Sequence, residues 1–485
     1  MTDEIHYLPA TEIAQRIRSG VLTATEVVEA FLKRIEKYDD EVNAFVTICD
    51  ERARQAAREA DAAVEAGDEL GPLHGVPVAI KDLTDVEGVR TTYGSRLFAE
   101  NVAEADATIV SRLKEAGAIV IGKTNTPEFG RKPMTTNKLV GATGNPWNVS
   151  RTAGGSSGGS AAALAAGMVP LAQGSDAAGS IRIPSSACGV YGLMPDFGRV
   201  PQGPSRADAF VNVHPFVFLG PMARTVEDAA LMLDVMAGHD PADPYSLPVP
   251  DESYRGAVTQ STRELSVAYS PYLGFCEVSS NVRSVVDQAV EDLDSLVDTV
   301  VEIDDVFGQT WAELHEVIEV LLQDRYARME HNFKQDLDLD LQEHRDDLTD
   351  EVVSRLDKAR DLDRLSVGRA SRTRTQGFDA LQTVFETHDV LVTPTLGMSP
   401  FEKDAQPTEI EGEEIDPLHG WALTWPFDVT GNPAASVPVG FTPDGMPVGL
   451  QVVGPRHGDR TVVRVSAAIE RAKPWHGSYP PAALD

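Results

Sequence analysis

The strongest constraint on the fold is an alternation of very short apolar runs with segments of helical spacing. Val76-Pro77-Val78-Ala79-Ile80 is apolar and ends on Lys81. Ala107 to Ala116 then carries a helical pattern, and Ile119-Val120-Ile121 is the next apolar run. Runs this short suit strands covered on both faces. Parallel strands need long, usually helical, crossovers, so the alternation predicts an α/β sheet. Strand character returns at Val169 to Ala172, Leu265 to Tyr269, Val390-Leu391-Val392 and Val448 to Val453, and Arg224 to Gly238 reads as a helix. Ahead of the first strand, Thr23-Ala24-Thr25-Glu26 fits a capping box, followed by Val27, Val28, Phe31, Leu32 and Ile35 at helical spacing. A second helix runs from Asp50 to about Ala66 and is ended by Gly67.

From about Val306 to Glu386 the chain reads as helical and very acidic, with Asp336-Leu337-Asp338-Leu339-Asp340-Leu341 at its centre. This is a helical excursion over the sheet and not a separate domain. At about 150 residues per domain, 485 residues allow two or three. With no internal repeat and no linker, the simpler expectation is one domain over 1–485, with a helical lead-in over 1–70 and the excursion at about 306–386. The expected architecture is three layers, α/β/α, around a large mixed, mainly parallel sheet.

The formal net charge is −33. Such an acidic surface repels nucleic acid and anionic membrane, so neither is expected as a partner. Lysines are few and arginines carry most of the positive charge, which fits a host with a salty cytoplasm that screens the repulsion. Cys49, Cys188 and Cys276 form neither a C-x-x-C pair nor an even-numbered framework, so disulfides and a cysteine metal site are not expected. The eleven histidines form no H-E-x-x-H, and no metal is expected. The N-terminal MTDEIHYLPATEIAQRIRSG has no apolar core of a signal peptide, and no run of about 18 strongly apolar residues occurs, so a soluble cytoplasmic protein is expected.

The densest local signal is Ala153-Gly154-Gly155-Ser156-Ser157-Gly158-Gly159-Ser160. A phosphate loop would need a following Gly-Lys-Ser/Thr, which is missing. Both Gly154-x-Ser156-x-Gly158 and Gly155-x-Ser157-x-Gly159 match a nucleophile elbow, but Asn148 to Thr152 is not the apolar strand an elbow requires. A flexible linker would not sit between a patterned sheet region and a helix. A Ser-Ser-Lys hydrolase site needs a second serine and a lysine. The second serine is available in Gly174-Ser175-Asp176-Ala177-Ala178-Gly179-Ser180-Ile181-Arg182, a small-residue loop whose backbone N–H groups can converge on an oxyanion.

These residues, taken with a long ordered set, resemble the amidase-signature family. The set comprises Gly75 to Asp82, Gly122-Lys123-Thr124-Asn125-Thr126-Pro127-Glu128, Asn145-Pro146-Trp147, the Gly/Ser loop, and Ser180 to Pro184. It continues through Cys188-Gly189, Gly192-Leu193, Gly220 to Thr225, Gly431 to Ala434 and Pro447 to Gln451. The resemblance covers nearly the whole chain and is weakest over the acidic excursion.

It implies Ser180 as nucleophile, Ser156 as a bridging serine after a cis Gly155–Ser156 peptide, and Lys81 as terminal base. A serine hydroxyl needs a base to remove its proton, and lysine can serve only when neutral, so Lys81 should be buried with a lowered pKa. Ala177, Ala178, Gly179 and Ser180 would offer oxyanion N–H groups. Phe129-Gly130-Arg131 would border the substrate. The implied activity is hydrolysis of a small-molecule carboxylic amide through an acyl-enzyme, without a cofactor, and with a homodimer left open.

The nearest rival is the A subunit of a glutamine-dependent tRNA amidotransferase; a catalytically silent binding protein is a third reading, opposed by the intact triad. Two departures from the family pattern stand out. Ala178 replaces a glycine, and Met194-Pro195-Asp196 stands where Lys-Pro-Thr is common. His74 reads as structural, and Trp421, Trp425 and Phe427 suit either core or acyl pocket.

Overall fold

The apolar run ending at Lys81 becomes strand β2 (Pro77–Lys81), every residue of it buried, as expected for a strand covered on both faces. The computed structural model describes residues 5–203, 208–210 and 216–480; residues 1–4, at the head of the N-terminal segment expected to carry no signal peptide, lie outside them. Among the described residues eleven strands form the main sheet. The others are β1 (Phe45–Ile48), β3 (Ile119–Thr124), β4 (Leu171–Asp176), β5 (Tyr191–Met194), β6 (Phe218–Ala223), β7 (Ser266–Tyr269), β8 (Thr299–Glu302), β9 (Val390–Pro394), β10 (Ala434–Phe441) and β11 (Pro447–Val453). Their spatial order is β1-β3-β2-β4-β6-β5-β10-β11-β9-β7-β8.

The sheet is mixed, as anticipated. One parallel block joins β3, β2 and β4, and a second joins β9, β7 and β8. The central run from β4 through β6, β5, β10 and β11 to β9 pairs antiparallel. Parallel pairing of β2 with β4 has a direct consequence for the site. It places the C-terminal ends of both strands, and hence Lys81 and Ser175-Asp176, at the same edge of the sheet.

The helices are α1 (Ala10–Arg18), α2 (Ala24–Val42), α3 (Asp50–Ala66), α4 (Thr108–Glu115), α5 (Gly158–Ala165), α6 (Arg182–Cys188) and α7 (Val226–Met236). Then follow α8 (Ser280–Asp294), α9 (Trp311–Asp336), α10 (Asp350–Arg360), α11 (Arg364–Phe385), α12 (Trp425–Thr430) and α13 (Asp459–Ala472). The Thr23/Glu26 capping box starts α2, and Gly67 ends α3 in the left-handed region. Helices α5 and α6 pack together over the sheet, while α7, α8 and α13 cover its other face. Among the described residues no helix is long and apolar enough to cross a membrane.

The acidic excursion is three helices, α9 to α11, packed on one another. It is anchored by apolar side chains within the charged sequence. Leu341, from the Asp/Leu run, is fully buried with Tyr326, Leu348 and Leu356. Leu314, Ile318, Leu321 and Leu381 join Leu391, Trp425, Phe427 and Val453 in a core that reaches the sheet.

Candidate active site

Lys81 closes β2 and is fully buried. Its Nζ donates to Ser156 Oγ at 2.7 Å, Ser157 Oγ at 2.8 Å and Ser175 Oγ at 3.0 Å. Burial lowers its pKa from the usual 10.5 to about 7, although the nearby charge of Asp176 pulls it upward. A second buried lysine, Lys123 on neighbouring β3, is ion-paired to Asp82 at 3.2 Å. Among the described residues Lys81 makes no direct ion pair and donates to hydroxyl and carbonyl oxygens, so burial outweighs the pull of Asp176.

The Gly/Ser loop is dense in glycine because its backbone runs against other backbone. A Cβ on Gly159 would lie 2.4 Å from Asn125 N. The Gly155–Ser156 peptide is cis. The two small-residue loops meet where Ser157 N–H donates to the Ser180 carbonyl at 3.1 Å.

The loop after β4 is organised by one carboxylate. Asp176 accepts the backbone N–H groups of Gly179, Ser180, Ile181 and Arg182. It also pairs with Arg182 at 3.0 Å, both side chains fully buried. Burial would raise the Asp176 pKa, but Arg182 outweighs it and holds the carboxyl below its usual range. Arg182 also contacts Asp428, which burial and the Asp176 charge push well upward.

This network changes the expected oxyanion donors. The N–H of Gly179, and that of Ser180, are directed to Asp176 and not into the pocket. Ala177 and Ala178, half-buried at the pocket surface, keep N–H groups that no acceptor takes among the described residues. Ala178 does not adopt positive φ; the left-handed position is Gly179, at φ 111°. The glycine-to-alanine departure is therefore accommodated without backbone strain.

Ser180 opens onto a pocket with Gly130, Arg131, Ala177 and Ala178. Gly130 and Arg131 thus reach the site, whereas the Phe129 ring packs between Phe98 and Phe333. Arg131 lies over the Tyr326 ring at 4.8 Å. The opposite wall was not anticipated. Leu322 and Tyr326 of α9, Arg355 of α10, and Leu418-His419 complete the pocket.

His74 is structural, its Nε2 lying 2.9 Å from the Ala60 carbonyl oxygen. Trp421, Trp425 and Phe427 belong to the core. Asp196, beyond β5, is fully buried and pairs with Arg456 at 2.6 Å and His457 at 2.8 Å, so the Met-Pro-Asp departure secures the C-terminal loop.

A lysine–serine cluster at the end of a parallel strand, facing a loop with unengaged backbone N–H groups, is an arrangement that can activate a serine hydroxyl and receive an oxyanion. The amidase family model matches residues 26–463. An acylamidase of Rhodococcus erythropolis is 40% identical over 484 residues, covering 99% of this chain and 98% of its own length. The glutamyl-tRNA(Gln) amidotransferase of Carboxydothermus hydrogenoformans has an A-type chain that is 34% identical over 506 residues, covering 98% of this chain and 99% of its own length. The crystal structure of a bacterial aryl acylamidase of the amidase-signature family superposes with a TM-score of 0.92 at 34% identity, covering 97% of each chain. The chain belongs to the amidase-signature family. It is an amide hydrolase acting on C–N bonds other than peptide bonds.

Proposed function

We propose that Lys81, Ser156 and Ser180 form a proton relay that hydrolyses the amide of an acylated amine. Neutral Lys81 takes a proton from Ser156, and Ser156 takes one from Ser180. Ser180 Oγ attacks the carbonyl carbon, and the resulting oxyanion accepts from Ala177 and Ala178 N–H. The relay then returns a proton to the leaving nitrogen; the C–N bond breaks and leaves a Ser180 ester. Water, deprotonated through the same relay, releases the acid. Each oxyanion donor contributes about 3 kcal/mol in comparable sites.

The observation that carries this reading is the 2.7 Å contact from a fully buried Lys81 to Ser156. The substrate class follows the acylamidase and aryl acylamidase relatives: a small acyl group on an amine, aryl amines included. We further propose that residues 1–485 work as one unit in a salt-rich cytoplasm, needing neither nucleic acid nor a second type of chain, with self-association as a homodimer open. The test is turnover of an acyl anilide by the purified chain alone. The wild type should release the aniline. Ser180→Ala should lose turnover by a factor on the order of 10⁴ to 10⁶ while keeping its circular dichroism. Turnover by Ser180→Ala near the wild-type rate would remove Ser180 from the mechanism.

A further inference from the structure

His315 on α9 and His419, in the turn before α12, bring their rings together beside the pocket that Ser180 lines. Their facing nitrogens, His315 Nε2 and His419 Nδ1, lie 3.0 Å apart. Glu319, one helical turn after His315, adds a carboxylate, and the three ligand atoms all fall within 4.8 Å of one another. We propose that His315, Glu319 and His419 bind a divalent transition-metal ion of the zinc type, and that the bound ion, standing in the pocket wall, lowers amide turnover.

The chemistry of the donor set fits. Two imidazoles and a carboxylate suit zinc, cobalt or nickel better than calcium or magnesium, which favour all-oxygen sites. Zn–N bonds of about 2.0–2.1 Å in a tetrahedral site put two nitrogens about 3.3 Å apart, a few tenths from the observed spacing. The His315-x-x-x-Glu319 spacing aligns both side chains on one helix face. The facing nitrogens share one hydrogen across their 3.0 Å contact, so binding an ion requires the donor ring to carry its proton on its other nitrogen.

The surroundings behave as an outer shell. Arg355 donates to Glu319 Oε2 at 2.6 Å and orients the carboxylate. Asp416 accepts the His419 backbone N–H at 2.7 Å and fixes its turn. The His315 ring stacks on Trp311 at 4.0 Å, with Trp425 edge-on at 5.9 Å, which excludes water from that side. Three protein ligands leave a coordination position for water or a substrate atom.

Binding is independent of the amide-hydrolase mechanism; the effect on turnover rests on it. The test titrates chelator-treated protein with Co²⁺, followed by visible absorption, with Zn²⁺ displacing it. Wild type and Ser180→Ala should each bind one ion per chain, and His315→Ala and Glu319→Gln should bind at least about tenfold more weakly. Zn²⁺ should inhibit acyl-anilide turnover in the wild type and much less in His315→Ala. Absence of stoichiometric Co²⁺ binding by the wild type, or equal affinity in both variants, overturns the site. Binding without inhibition overturns its effect on turnover. Binding with no turnover in any variant leaves the site standing and removes the hydrolase mechanism instead.

Discussion

Burial among hydroxyls is what makes Lys81 a base. With its pKa brought to about 7, the amine is neutral above that pH and protonated below it. The acylation rate should therefore rise through an apparent pKa near 7 and fall about tenfold per pH unit on the acid side. A pH–rate profile of kcat/KM checks this, and a flat profile between pH 5 and about 9 contradicts it. The sign for stability follows too. The folded-state pKa lies below the unfolded one, so the unfolded chain binds the extra proton and Lys81 makes unfolding harder as pH rises from about 7 toward 10.5. Asp176 pulls the Lys81 pKa upward, so Asp176→Asn should move the acid limb to lower pH. The same substitution removes the charge that pairs with buried Arg182 and should cost about 3–5 kcal/mol in denaturant unfolding.

At the scale of elements, two loops are held by steric fit. Gly179 has φ 111°, and a Cβ there would lie 2.0 Å from Thr424 Oγ1. Gly179→Ala should lose about 1–3 kcal/mol and most activity together, measured by thermal unfolding and kcat. The helices α9 and α10 supply Leu322, Tyr326 and Arg355 to the pocket, away from Lys81 and Ser156. Tyr326→Ala should change KM and the range of amides accepted, with labelling of Ser180 retained.

Legibility in the sequence follows the same division. The strands β2, β3, β4 and β9, and the loops at 153–160 and 174–182, stand out because short apolar runs and small residues have few alternative uses. The central strands β5, β6 and β10 did not stand out. Their sequences, such as Ala434-Ala435-Ser436-Val437-Pro438-Val439, mix proline, serine and small residues, and antiparallel neighbours need no helical crossover to mark them. The engagement of Gly179 N–H by Asp176 depends on a buried ion pair between α6 and the loop, which no spacing rule reveals. His315 and His419 come together only through packing of α9 against the turn before α12, so no H-E-x-x-H spacing marks them in the sequence.

For the whole molecule, the net charge of −33 sets the response to salt. The screening length falls from about 10 Å at 0.1 M to about 3 Å at 1 M, which weakens self-repulsion across the acidic surface while leaving the buried pairs intact. The melting temperature should rise over that range. A melting temperature that is flat or falling would show that the acidic surface is not a source of strain. Leu314 and Leu381 of the excursion share a buried cluster with Leu391 of the sheet. Unfolding of α9 to α11 and of the sheet should therefore coincide by fluorescence and circular dichroism.

The most direct test of the relay is covalent. A fluorophosphonate reacts only with an activated serine, so intact-mass and peptide mapping locate the nucleophile. One adduct per chain on Ser180 is expected, absent in Ser180→Ala and strongly slowed at pH 7 in Lys81→Ala. An adduct on Ser156 or Ser157, or one that persists in Ser180→Ala, would contradict the account.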